Sequence, residues 1–175
     1  SPTDPLSVYA STKLDAEKIL IQKDALIFRL GTLFGIGDLF SRVRMDLVVN
    51  ILTAKAILDK KLTVFGGKQY RPILHVKDAA RIIEESLRSK NRGIYNLHNE
   101  NVKIVELAER IQKCFLNVSI EKIDMKFQDS RNYQANGNKL RDDFIFRPKY
   151  TVEDGVNEIK KLILEKRIKD INDPR

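Results

Sequence analysis

Cysteine is almost missing from this sequence. Cys114 is the only one in 175 residues, so no disulfide can close within the chain and no multi-thiolate metal site is available. In Glu109-Arg-Ile-Gln-Lys-Cys-Phe115 it falls on the apolar side of a helical pattern, which reads as a small packed thiol rather than a nucleophile. Histidine is nearly as scarce: His75 and His98 alone supply an imidazole-based metal centre poorly, and no metal site is expected. No apolar run is long enough to cross a bilayer. Asp46-Leu-Val-Val-Asn-Ile-Leu-Thr-Ala54 is broken by polar residues well short of a span. The chain opens without a cleavable signal pattern, so a cytoplasmic protein with no membrane partner is expected, and the acceptor tripeptide Asn117-Val-Ser119 goes unused there. Also absent is any Gly-x-Gly-x-x-Gly turn. Gly35-Ile-Gly37 lacks the third glycine, and no helix opens behind it at the right place.

Charge, by contrast, is plentiful and unbalanced, with 32 Lys and Arg against 24 Asp and Glu, a formal net charge of +8 and a pI near 9.5. A nucleic-acid partner is not expected, because the two signs interleave almost everywhere, as in Lys160-Lys-Leu-Ile-Leu-Glu-Lys-Arg-Ile-Lys-Asp170. The excess suits solvated helix faces or an anionic small ligand. Hydrophobic residues make up 42%, ample for the core of one ordinary domain.

The periodicities alternate. A Pro- and Ser-rich opening leads to a helix over Val8 to Lys23. The apolar run Ala25-Leu-Ile-Phe-Arg-Leu30 follows, suited to a strand buried on both faces. Asp46 to Asp59 is spaced as a helix, Leu62 to Phe65 and Ile73 to Val76 as strands about a Gly66-Gly67 turn, and Asp78 to Arg88 as an amphipathic helix. Gly93 to His98 is strand-like, and Ile104, Leu107, Ala108, Ile111 and Phe115 mark another helix. Past a mixed region to Gly137, Thr151-Val-Glu-Asp154 resembles a capping box opening a terminal helix. The alternation indicates an α/β fold with parallel strands. His75 reads as a packed strand residue and Asp78 as a helix N-terminal carboxylate.

Within Val8-Tyr-Ala-Ser-Thr-Lys-Leu-Asp-Ala-Glu-Lys18, Tyr9 and Lys13 stand four apart and share a helix face. Five tyrosines and nineteen lysines give about 0.5 chance matches to this spacing, so the pair alone reads either as a solvated accident or as chemistry. An ammonium beside a phenol favours the phenolate, which is what proton transfer near neutral pH needs.

Several segments in order decide between these. Pro5 to Glu17 resembles the Tyr-x-x-x-Lys helix of the extended short-chain dehydrogenase/reductases, in particular their nucleotide-sugar epimerases and dehydratases. Arg29-Leu-Gly-Thr-Leu-Phe-Gly35 resembles the strand and loop that follow it. Leu62 to Arg81 is similar to the family's substrate-domain signature, and Asp129 to Tyr133 and Pro148 to Gly155 to its C-terminal part.

The resemblance implies the C-terminal part of a Rossmann-type parallel sheet with a small α/β substrate-binding domain. Residues 1–32 and 73–98 would be the remnant of the NAD-binding domain, and 33–72 and 99–175 the nucleotide-sugar domain. It implies NAD, less so NADP, with transient oxidation of the sugar by hydride transfer. Tyr9 and Lys13 would be the catalytic pair, contacting the cofactor together with Leu30. Thr32, Arg44, Asp46, Leu47 and Asn96 would approach the sugar or the pocket mouth, Val64 and Phe65 would flank the nucleobase, and Arg71 and Arg131 would grip the diphosphate. Partners implied are a nucleoside diphosphate-sugar, a glycine-rich N-terminal half and a second copy docked through the Tyr-x-x-x-Lys helix. Two departures stand out. The Ser or Thr that polarises the reacting oxygen should lie on an earlier strand, and Ser1, Thr3 and Ser7 are too close to the tyrosine to replace it. The cofactor-cradling half is also missing. A non-catalytic nucleotide- or partner-binding protein on the same fold is the alternative.

Overall fold

The computed structural model describes residues 3, 5–38, 43–124 and 132–168. Helix α1 (Val8–Ile21) begins where Ser7 accepts the Ala10 N–H at 3.1 Å, as a serine N-cap does. Strand β1 (Leu26–Leu30) follows, and Arg29 ties it back to the helix by donating to both oxygens of Glu17 at 2.7 and 2.6 Å. The chain continues through β2 (Thr32–Phe34), α2 (Val48–Leu58), β3 (Lys61–Phe65), β4 (Tyr70–His75), α3 (Val76–Ser86) and β5 (Gly93–Leu97). Next come β6 (Glu100–Lys103), α4 (Ile104–Lys113), β7 (Ser119–Ile123), α5 (Asn138–Phe144) and α6 (Val152–Leu164).

The strands form three small sheets. β1 pairs in parallel with β5, β2 with β4 and β3 with β7, while β6 runs antiparallel to β4. The α/β class with parallel pairing is therefore as expected, with one antiparallel edge added. The expectation that β1 is buried on both faces is not met: its first four residues are half-buried and Leu30 is 45% exposed. Apolar composition records a strand's affinity for cover, whereas β1 has one strand neighbour among the described residues and a helix, α1, that buries none of its own side chains.

The main core lies between α2, α4, α6 and the strands β2, β3, β4 and β6. Phe34, Val49, Leu62, Ile73, Leu107, Ile111 and Val156 are all essentially inaccessible there, each worth about 1.5–3 kcal/mol relative to exposure. Ala54 and Ala56 are also fully buried, which lets α2 lie close to its neighbours. A second cluster joins Leu74, Ile82, Tyr95 and Leu97 to Leu140 and Phe146, so α5 and the turn after it cover β5 and α3. The capping box at α6 is present: Asp154 N–H donates to Thr151 Oγ1 at 3.2 Å and Thr151 N–H to Asp154 Oδ2 at 2.8 Å. Cys114 is partly buried at the end of α4, and burial pushes its thiol pKa up, away from nucleophile chemistry.

Asp78 stands in the first turn of α3, wholly buried. Its carboxylate accepts the Lys149 and Tyr150 N–H groups at 3.0 Å and the Arg81 guanidinium at 2.8 Å, while Arg81 also donates to the Arg147 carbonyl at 2.6 Å. This pins the turn leading into α6 against the end of β4. In Asp78→Asn one acceptor oxygen is replaced by a second donor facing backbone donors. A loss of about 2 kcal/mol in urea denaturation at neutral pH is expected, with the native helix content retained.

Candidate functional site

The C-terminal ends of β1 and β2 open onto a cavity of about 380 Å³. Its walls are Tyr9 and Leu30, the loop Gly31 to Gly37, and Val43, Arg44 and Leu47 from the approach to α2. A second cavity of about 260 Å³ lies on the other side of that approach. Asp46, Val48, Ile51, Leu52 and Lys55 line it from one side, and Thr63, Val64, Phe65, Gln69, Arg71 and Ile104 from the other. Residues 44–48 thus wall both, and Arg44 donates to both oxygens of Asp46 at 2.7 and 2.6 Å across the boundary. Both partners are more than half exposed, so this pair shapes the partition and adds little to stability.

The sequence-predicted residues divide between the cavities. Tyr9, Leu30, Arg44 and Leu47 line the first, and Asp46, Val64, Phe65 and Arg71 the second. Val64 is 1% exposed and belongs mainly to the core, touching the cavity only at its edge. Arg71 is buried to 6% exposure at the start of β4, where Nη1 donates to the Tyr70 carbonyl at 2.8 Å and the guanidinium lies 5.8 Å from the Tyr133 ring centroid. Thr32 is half-buried opposite Ile73 in the β2–β4 ladder and lines neither cavity. Asn96 stands opposite Arg29 in the β1–β5 pair and donates to the Asn136 carbonyl at 3.0 Å. Arg131 lies outside the described residues. The residues just after it reach Arg71's strand: Asn132 Oδ1 accepts the Tyr70 N–H at 2.9 Å, and Tyr133 covers Arg71.

Tyr9 and Lys13 stand on the exposed face of α1. Tyr9 is 72% exposed, and the Lys13 ammonium sits over its ring, 5.5 Å from the centroid, a cation–π contact. Lys13 faces a different hollow, shared with Glu17, Arg29 and Tyr133.

The loop Gly31 to Gly37 is held from beneath by residues that sequence reasoning did not place there. Asn50 Oδ1 accepts the Gly35 N–H at 3.1 Å and its Nδ2 donates to the Arg44 carbonyl at 3.0 Å, so one buried side chain links both walls of the first cavity. Glu158, more than 120 residues along the chain, accepts the Ile36 N–H at 2.8 Å and the Lys77 ammonium. His75 is fully buried between an edge of Phe34 and the stacked ring of Tyr150, with centroids 5.0 and 4.6 Å away. Its Nδ1 accepts the Lys77 N–H at 3.2 Å, so the ring proton belongs on Nε2, which points toward Glu158 Oε2 at 3.2 Å but off the line of a full hydrogen bond. Burial alone would raise the Glu158 pKa. His75, Lys77 and the Ile36 N–H outweigh it and hold the carboxyl at about 2. An asparagine interrupting the apolar run Val48 to Leu52 is a signal that singles out Asn50; no local pattern links Glu158 to this loop.

The family model described as "NAD dependent epimerase/dehydratase family" matches residues 1–97, more than half of the chain. The chain belongs to this family. Among solved structures it is similar to dTDP-glucose 4,6-dehydratase from Bacillus anthracis in complex with NAD, with a TM-score of 0.76 and 25% identity over 95% of this chain and 55% of that one. It is also similar in fold to UDP-glucuronic acid 4-epimerase from Bacillus cereus in complex with UDP-glucuronic acid and NAD, with a TM-score of 0.72 and 23% identity over 92% of this chain and 55% of that one. RMD from Pseudomonas aeruginosa complexed with NADPH matches with a TM-score of 0.71 and 20% identity, over 92% and 56%. The chain thus spans about half the length of the epimerase/dehydratase-family structures it matches. No helix among the described residues is long and apolar enough to cross a membrane.

Proposed function

We propose that this chain is the C-terminal, substrate-holding portion of a nicotinamide-dependent nucleotide-sugar epimerase or dehydratase. The observation that carries this reading is the pair of cavities sharing the Arg44–Leu47 wall, with Tyr9 and Leu30 at one end and the buried Arg71 at the other. The sugar lies in the first cavity near Tyr9, whose phenolate takes the proton of a sugar hydroxyl and becomes the neutral phenol; Lys13 favours the phenolate that starts the step and holds the ribose beside it. The base rests against Phe65 in the second cavity, and Arg71, joined by Arg131, grips the diphosphate. Thr32 and Asn96 are second-rank members of this proposal. A bound nicotinamide supplies the hydride acceptor for sugar oxidation.

The residues present fit the nicotinamide end of such a cofactor and not its pyrophosphate. Leu30 is an exposed apolar side chain at the C-terminal end of a parallel strand beside Tyr9, where ligands enter open α/β sheets. Among the described residues, the glycines at positive φ are Gly35, Gly66, Gly67 and Gly93, and none leads from a strand into a helix N-terminus. The reading therefore assigns residues 1–32 and 73–98 to a Rossmann remnant completed by a glycine-rich half, and 33–72 and 99–175 to the substrate domain. It assigns homodimer contacts to α1, where Val8, Ile19 and Leu20 are exposed. The cellular site is cytoplasmic.

Calorimetric titration of the 175-residue chain tests this reading. UDP or dTDP should bind saturably, whereas NAD should show no micromolar binding. Arg71→Ala should weaken nucleotide binding by roughly ten- to a hundredfold, since a charge-assisted contact contributes about 1.5–3 kcal/mol. Arg71→Lys should recover only part, for want of the planar fork. Wild-type chain that ignores every nucleoside diphosphate would favour the non-catalytic alternative.

A further inference from the structure

The two cavities differ in charge. Among the described residues Arg44 is the one charged residue lining the first, and it is engaged by Asp46. The second carries Lys55 and Arg71 as well as Asp46, whose carboxylate faces Arg44. Lys55 extends the face of α2 that carries Val48, Ile51 and Leu52, at helical spacing, so its ammonium enters the cavity along an apolar wall. It is half-buried and has no hydrogen-bond or ion-pair partner among the described residues. Lys60 and Lys61, just past the end of the same helix, are exposed, so the favourable charge at that helix end does not depend on a lysine drawn into a cavity.

An ammonium partly withdrawn from water and left unpaired is unfavourable until an anion reaches it. Lys55 lies about 10 Å along α2 from Val48, and Arg71 about 13 Å along β4 from His75, the residue that touches the floor of the first cavity. Both cations line the cavity that Tyr9 does not. Resting on the nucleotide-sugar reading above, we propose that Lys55 is a substrate-binding residue. With Arg71 it forms a two-cation seat for the diphosphate linkage in the second cavity, and it thereby sets the polarity of the ligand, sugar toward Tyr9 and phosphates away. Two positive groups match the two negative charges of that linkage. Lys55 favours the diphosphate over the base, because its full positive charge is attracted to the anionic phosphates and not to a neutral base.

Calorimetry on the 175-residue chain with UDP, inorganic pyrophosphate and uridine as probes separates these roles. Lys55→Met keeps the apolar stem and removes the charge, and Lys90→Met on the exposed surface serves as control. Lys55→Met should weaken UDP and pyrophosphate at least tenfold, leave uridine unchanged and flatten the salt dependence of UDP binding; Lys55→Arg should restore most of the loss. Equal UDP affinity in wild type and Lys55→Met would overturn the seat while leaving the nucleotide-sugar reading intact. Parallel losses for UDP and uridine with a lowered melting temperature would mark Lys55 as structural and overturn it too. Wild-type chain that binds none of the probes would remove the nucleotide-sugar reading itself, and the seat with it.

Discussion

Gly35→Ala is expected to abolish the native fold, or to leave a protein destabilised by about 4 kcal/mol or more that unfolds near ambient temperature. Two independent costs meet at this position. Its φ is +81°, a conformation in which a side chain is strained, and that alone amounts to about 1–3 kcal/mol. A Cβ built there would lie 2.3 Å from His75 Nε2 and within 2.9 Å of two further ring atoms. The ring cannot swing aside, because Phe34 and Tyr150 hold it from two directions and it is wholly buried. Relief must therefore come from the loop, and moving the loop breaks the Gly35 N–H contact to Asn50 and the Ile36 N–H contact to Glu158. Thermal unfolding of Gly35→Ala beside Gly37→Ala is the measurement. Among the described residues a Cβ at Gly37 meets only the methyls of Val76, no closer than 3.6 Å, so that variant should melt close to wild type. A Gly35→Ala protein as stable as wild type would show that the loop is not locked to His75.

The same loop shows what can be read from sequence and what cannot. The elements with strong local periodicity, α2, α3, α4 and α6, were legible because each carries its own buried stripe: Leu107, Ala108 and Ile111 repeat at helical spacing whatever lies against them. The parallel pairing of β1 with β5 followed from the alternation of strands and helices. β7 was not legible. Ser119-Ile-Glu-Lys-Ile123 has little apolar content, and its strand state comes from pairing with β3, where Leu62 stands opposite Ile120. α5 is seven residues long, and it is held by Leu140 and Phe144 docking onto the β5 side of the molecule rather than by propensity. At the site, motif resemblance indicated Tyr9, Leu30, Arg44, Asp46 and Arg71, which line the two adjoining cavities. Thr32, which the resemblance also indicated, lines neither cavity, because a motif gives position along the chain and not the side of the strand that faces a cavity. Asn50 and Glu158 went unnoticed because their contacts join distant segments, and Lys55 because only the fold shows that it lines a cavity.

Glu158 is the clearest of these, and removing it should cost about 3–5 kcal/mol at neutral pH. Glu158→Ala leaves the Ile36 N–H without its acceptor in a part-buried setting, removes the carboxylate facing His75 and frees Lys77, and an orphaned donor alone is worth about 1–3 kcal/mol. Acidification separates the charge from the shape. The carboxyl is held at about 2 in the folded chain, against an ordinary value of 4.5, so the folded state favours the ionised form. A depressed carboxylate contributes stability that is complete above the unfolded value and is lost as pH falls through the folded one. Wild type should accordingly shed about 3 kcal/mol from this group between pH 4.5 and about 2, an upper figure for a side chain still one-fifth exposed. Glu158→Gln preserves the volume and one acceptor for the Ile36 N–H but has no charge to lose, so the gap between it and wild type should be widest near pH 6 and close in acid. Urea midpoints of wild type, Glu158→Gln and Glu158→Ala across pH 2 to 7 give the comparison, with other carboxylates cancelling in the differences. A gap between wild type and Glu158→Gln that does not narrow below pH 4.5 would mean that the carboxylate is not held ionised by its neighbours.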